Sequence, residues 1–85
     1  MLDQGEASRF RDGDPGAVRT VYRAYGGLVF TVACKVLGDR RLAEEATQQA
    51  LVQAWRAAGD YDLTQELGPW LAVIARRAAI DILRR

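Results

Sequence analysis

The stretch from Leu42 to Ala58 carries neither proline nor glycine and is rich in alanine, so helix is its one low-cost backbone conformation. Asp39 stands just ahead of it, where a side-chain oxygen can accept from the free N–H groups of a first turn. At about 100° per residue, Leu42, Ala43, Ala46, Ala50, Leu51, Ala54, Trp55, Ala57 and Ala58 cover more than half of the circumference. A helix lying on a core needs only one apolar stripe, so this one is expected to be packed against from several sides. The strip left over holds Glu45, Gln48, Gln49, Val52 and Arg56. An acid, two amides, a branched apolar side chain and a base in neighbouring turns fit either a solvated face or a protein partner.

The neighbouring segments supply the other walls. Asp14-Pro15 starts a helix, with Asp as cap and Pro at the first helical position, where its missing N–H costs nothing. Val18, Tyr22, Tyr25, Val29, Val32 and Val36 then recur at spacings of four and three, joined by Val21, Leu28, Ala33 and Leu37. The period survives Gly26-Gly27, so one long helix is expected over 15–37, with the glycine pair as a place where it can bend. Gly38 closes that helix and Asp39 opens the next, expected over 40–58. Before them, residues 1–12 support at most a short helix using Leu2, Ala7 and Phe10.

Residues 59–68 follow neither the helical nor the strand period and read as an ordered loop. Gly68-Pro69 begins a last helix, expected over 69–84, on which Leu71, Ile74, Ala75, Ala78 and Ile82 lie in one core-facing arc. Across from them Arg76, Arg77 and Arg84 share the outer face with Val73 and Ile80. Outward apolar side chains among arginines point to a surface that something covers. The fold class is therefore all-α, a compact bundle of three to four helices in one domain spanning 1–85.

Composition removes whole classes of function. There is no His and a single Cys34, so zinc sites, internal disulfides and His-based catalysis are absent, and no cofactor is expected. The acids Glu44 and Glu45 are adjacent on a helix and point about 100° apart, so they cannot face each other across a substrate. No apolar run approaches the roughly 18 to 20 residues that span a bilayer, and the acidic N-terminus lacks the order of a signal peptide, which makes a cytoplasmic protein the expectation. Net charge is only +1, yet residues 1–16 hold four acids and two bases while residues 68–85 hold four arginines and one acid. Local charge must carry any nucleic-acid argument.

Four motifs in order resemble domain 2 of the bacterial extracytoplasmic-function (ECF) sigma factors: Gly13-Asp14-Pro15-x-Ala17-Val18; Ala43-Glu44-Glu45-x-x-Gln48-x-x-Leu51-x-x-Ala54-Trp55; Pro69-Trp70-Leu71-x-x-Ile74-Ala75-Arg76; and Asp81-x-Leu83-Arg84-Arg85. The match covers nearly the whole chain. The sequence departs from the family pattern at Glu45, usually Asp, at Gln49, usually Glu, and at Leu51, usually Phe. Arg77 replaces the Asn that usually ends Ile-Ala-Arg-Asn, so base preference does not carry over at that position. The family pattern continues beyond this point through a linker to a domain that reads the −35 element, and the chain is expected to be the domain 2 part alone.

The resemblance implies a transcription initiation factor domain with no active site. Its central helix would dock on the clamp helices of the RNA polymerase β′ subunit through Glu45, Gln48, Gln49, Val52 and Arg56. Its last helix would recognise the −10 promoter element as the strands part, with Arg76, Arg77 and Arg84 on phosphates or bases and Ile80 beside them. The loop from Gly59 to Gln65 resembles the loop that captures a flipped base of the non-template strand, offering Asp60, Asp62, Thr64 and Gln65 to its polar edge and the Tyr61 ring for stacking. The family has an aromatic packing residue at the Tyr61 position, so the core is its first assignment, as for Trp55 and Trp70. An anti-sigma factor that covers these faces is an expected partner. The alternative is a helical interaction module whose apolar and arginine face binds a regulatory protein instead of DNA.

Overall fold

Among the described residues, three of the four α-helices begin where an aspartate takes up free N–H groups. Asp3 accepts from the Glu6 N–H at 2.7 Å and starts α1, Gln4–Arg11. Asp14 accepts from the Ala17 N–H at 3.0 Å and starts α2, Pro15–Leu37, with Pro15 in the first turn. Asp39 accepts from the Leu42 N–H at 3.0 Å and starts α3, Arg40–Arg56. A single 3₁₀ turn, Ala58–Asp60, and a loop lead to α4, Leu67–Arg84. This computed structural model describes residues 3–85, so Leu2, expected in the first helix, lies outside the described residues. Among those residues every regular element is helical.

Two boundaries differ from expectation, for one reason each. α3 stops at Arg56 rather than Ala58 because Asp60 N–H bonds the Ala57 carbonyl at 2.9 Å and Tyr61 N–H bonds the Ala58 carbonyl at 3.1 Å. That tightening turns the chain and delivers the Tyr61 side chain into the core, at 4% exposure. α4 starts at Leu67, ahead of Gly68-Pro69, because Leu67 is itself a buried core residue. Pro69 still falls inside the first turn, where no N–H is required.

α2, α3 and α4 pack on one another, with α1 against α2 and the 3₁₀ turn. The fully buried side chains of α3 are all alanine, at 43, 46, 50 and 54, which lets its neighbours come close. Bulk is supplied from elsewhere: Phe10, Val21, Val29 and Leu71 are the largest fully buried side chains. One part of the core lies under the loop and includes Phe10, Tyr61 and Leu71; the other, near the α2–α3 turn, is built from Ala33, Ala43, Ala46, Ala79 and Ile82. α2 runs unbroken through Gly26-Gly27, and Gly38, at φ 65°, closes it by donating its N–H to the Cys34 carbonyl at 2.8 Å. Cys34 is half-buried beside the second cluster.

The aromatic assignments divide. Trp70 and Tyr61 pack with ring centroids 5.2 Å apart, and Phe10 meets both nearly edge-on at 6.2 and 6.3 Å. Trp55, expected in the core, is instead 52% exposed. Ala54 and Ala58 already fill the inward positions on either side of it, and an alanine seam leaves no room for an indole. Leu28, counted in the apolar stripe of α2, is likewise 40% exposed.

Candidate functional site

Because the alanines of α3 take the inward positions, the mixed strip is turned outward. Gln48, Gln49, Val52 and Arg56 are all exposed, and with Gln53 they line a shallow groove of about 330 Å³. Trp55 flanks this strip beside Gln48 and Val52; reading the indole as core missed it, and the signal was that Ala54 and Ala58 had already filled the inward places. Glu45 is partly exposed and is not free. The Arg85 guanidinium donates to both of its oxygens, Nη2 to Oε1 at 3.0 Å and Nη1 to Oε2. That hydrogen bonding, aided by the charge of Arg85, holds the Glu45 carboxyl below its ordinary value and pushes Arg85 up. The partners are 40 residues apart, so no local pattern announces them.

The loop after α3 is held by its own side chains. Asp62 Oδ1 accepts from the Thr64 N–H at 2.9 Å and from the Thr64 hydroxyl at 2.8 Å, while Gln65 N–H bonds the Asp62 carbonyl at 3.0 Å. The two bonds from Thr64, backbone first, hold the Asp62 carboxyl below its usual value. Asp60, Asp62, Thr64 and Gln65 are exposed. Tyr61 is not: its ring is in the core and its hydroxyl donates to the Gln65 carbonyl at 2.5 Å, so it cannot serve as a stacking platform. Burial, joined by the nearby Tyr25, Asp62 and Glu66, pushes its phenol up. Between this loop, α1 and α2 lies a pocket of about 340 Å³ with apolar Ala7, Leu63 and Leu67 and polar Asp3, Thr64 and Gln65 in its lining.

On α4, Arg76, Arg77 and Arg84 are exposed, and among the described residues none of them is in an ion pair. Val73, one turn ahead of Arg76 and Arg77, is 50% exposed, and Ile80, expected on the same face, is half-buried. Val73, Arg76, Arg77, Ile80 and Arg84 recur at helical spacing, which is why a single face collects them. A second groove, of about 650 Å³, joins this face to the loop, with Gln65, Trp70, Val73, Ile74 and Arg77 in its wall. It brings Gln65 of the loop and Arg77 of α4, 12 positions apart in the sequence, into one wall. Among the described residues there is no cluster of metal-ligating groups and no helix long and apolar enough to cross a membrane.

Comparison with known proteins agrees with the motifs. The profile of the family described as Sigma-70 region 2 matches residues 21–85, and the chain belongs to that family. The ECF RNA polymerase sigma factor SigK of Mycobacterium ulcerans is 39% identical over 57 residues, 66% of this chain and 30% of that protein. The ECF sigma factor SigK of Mycobacterium sp. strain KMS is 36% identical over 73 residues, 84% of this chain and 37% of that protein. The chain thus spans about a third of the length of these curated relatives. In fold it is similar, at TM-score 0.89 and 24% identity, to an engineered region 2 of sigmaE solved by NMR in complex with GTAAAA, over 99% of this chain and 87% of that one. The expected region 2 of an ECF-type sigma factor is the family and the fold found.

Proposed function

We propose that this domain docks on core RNA polymerase through the outer strip of α3 and takes the non-template strand of the promoter −10 element on its loop and α4. The observation that carries the reading is the groove shared by Gln65, Trp70, Val73 and Arg77. It offers an amide, an indole, an apolar side chain and a guanidinium in one place, a set suited to a single-stranded base beside its phosphate, with the Glu66 carboxylate on the loop side where bases rather than phosphates would lie. The charges give the strand an orientation. Arg76, Arg77 and Arg84 attract phosphates, whereas the exposed Asp60 and Asp62 repel them, so the backbone lies along α4 and the bases turn toward the loop. The second oxygen of Asp62, free of the bonds from Thr64, can accept from a base amino group.

The α3 strip has the character of a protein interface: Gln48 and Gln49 supply donors and acceptors, Val52 a small apolar contact, and Arg56 and Glu45 charge. The β′ clamp helices of polymerase are its partner in this reading, and the sigma-factor names of the relatives support it. The sigmaE region 2 complex with GTAAAA supports the strand partner. Val73, half-exposed among the arginines, supports a regulatory protein of the anti-sigma type that covers this face; a pull-down from the native host that yields only polymerase would remove that partner.

The test is anisotropy of a labelled −10 non-template strand titrated with this domain, with core polymerase and with both. Association is expected to be far stronger with both than with either alone, because three arginines are a modest electrostatic footprint. A domain that binds neither polymerase nor, in its presence, the strand would defeat the reading.

A further inference from the structure

We infer that Tyr61 is a positioning residue for the base-reading loop: its ring, held by Phe10 of α1 and Trp70 of α4, and its hydroxyl, bound to the Gln65 carbonyl, set the backbone that presents Asp62, Thr64 and Gln65. This rests on the reading of that loop as the part that receives bases. A loop that had to order itself when the strand arrived would lose binding free energy to conformational entropy, and a loop free to adopt several shapes would discriminate poorly among bases.

The bonds of Asp62 with Thr64 and of Gln65 N–H with the Asp62 carbonyl are local; they give the turn its shape and do not tie it to the helices. Tyr61 does both. Its backbone N–H closes the 3₁₀ turn on the Ala58 carbonyl, its ring is buried among Phe10 and Trp70, and its hydroxyl reaches across the turn to Gln65, the last residue before the cap of α4. Among the described residues this is the side-chain hydrogen bond that joins the exposed turn to a core residue. The inference also gives α1 a role, since Phe10, at 0% exposure, is the surface on which the Tyr61 ring rests.

Tyr61→Phe isolates the effect, because the ring packing stays and the carbonyl of Gln65, an exposed residue, can turn to water in place of the lost donor. The measurement is binding of this chain with core polymerase to a panel of −10 strands that differ by one base at a time. The thermal midpoint and polymerase affinity are expected to match wild type, while the ratio of best to worst strand affinity falls by about three- to tenfold. Amide exchange at Thr64 and Gln65 should quicken at the same time. Gln65→Ala provides the second arm. If it flattens the base preference and Tyr61→Phe does not, the loop reads bases without help from Tyr61, and the inference alone falls. If neither variant alters the preference, the loop does not read bases, and the inference falls together with the reading beneath it.

Discussion

The outer faces of α3 and α4 belong to helices of similar length in one bundle, yet they present different chemistry. On α3 both acids are paired within the chain: Arg40 Nε lies 3.6 Å from Glu44, and Arg85 is bound to Glu45. What remains exposed on the outer strip is amide and apolar with one base, Arg56, a surface suited to hydrogen bonding and fit. On α4, Arg76, Arg77 and Arg84 have no ion-pair partner among the described residues, so their field extends outward and counterions must leave when an anion arrives. The difference teaches that one bundle supplies geometry in common while the outward side chains give each face its own chemistry, which under the proposed function sets its partner. The two faces should therefore fail independently and respond differently to salt.

The largest expected effect comes from Gln48→Arg, which would place an unpaired charge in the α3 interface and weaken polymerase binding by about a hundredfold, or about 2.7 kcal/mol. Its helical circular dichroism should be unchanged, and wild-type polymerase affinity would remove α3 from the docking role. Next, Arg76→Ala with Arg77→Ala should lower strand affinity by about tenfold in the polymerase-bound domain and reduce the slope of log affinity against log salt by about 1.4. Polymerase affinity should stay put; a parallel loss of both would mean that the faces are one surface.

A third variant should leave both faces alone. A Cβ at Gly27 would meet nothing within 4 Å, so Gly27→Ala in the unbroken α2 should stabilise the fold by about 0.5 to 1 kcal/mol, read as a rise in thermal midpoint. A fall would show that α2 needs to flex at that pair. The smallest effect concerns the paired acid Glu45 of α3. The folded value of the Glu45 carboxyl lies below its ordinary value of 4.5, so its stabilisation is complete above about pH 4.5 and fades as pH drops through the folded value. The difference in thermal midpoint between wild type and Glu45→Gln should accordingly be flat above that pH and shrink below it. Arg85→Ala should abolish the trend, and a trend that survives would assign it to another acid.

Much of this was legible in local patterns. Asp14 and Asp39 announce α2 and α3 because a cap needs only a side chain two or three residues from the N–H groups it serves, and Gly38 announces the end of α2 because the left-handed region favours glycine. The arginine face of α4 follows from spacing alone. The failures share a different cause. Hydrophobicity places Trp55 inward, but an alanine-lined seam admits no indole, and of the two roles open to Tyr61 the 3₁₀ turn selects the core, its first assignment, over stacking on a base. The bond between Arg85 and Glu45 joins positions whose nearness no periodicity encodes.

By itself the sequence determined the helices, their order, the outward strip of α3 and the arginine face of α4, since each depends on residues within a few turns of one another. Only the tertiary structure decided which aromatic rings are buried, that Gln65 and Arg77 line one groove, and that the acid of α3 is held by the last arginine of the chain. The physical reason is distance along the chain: capping and periodicity are local free energies, whereas a groove or a long-range ion pair exists only once close packing has fixed how far apart the helices lie.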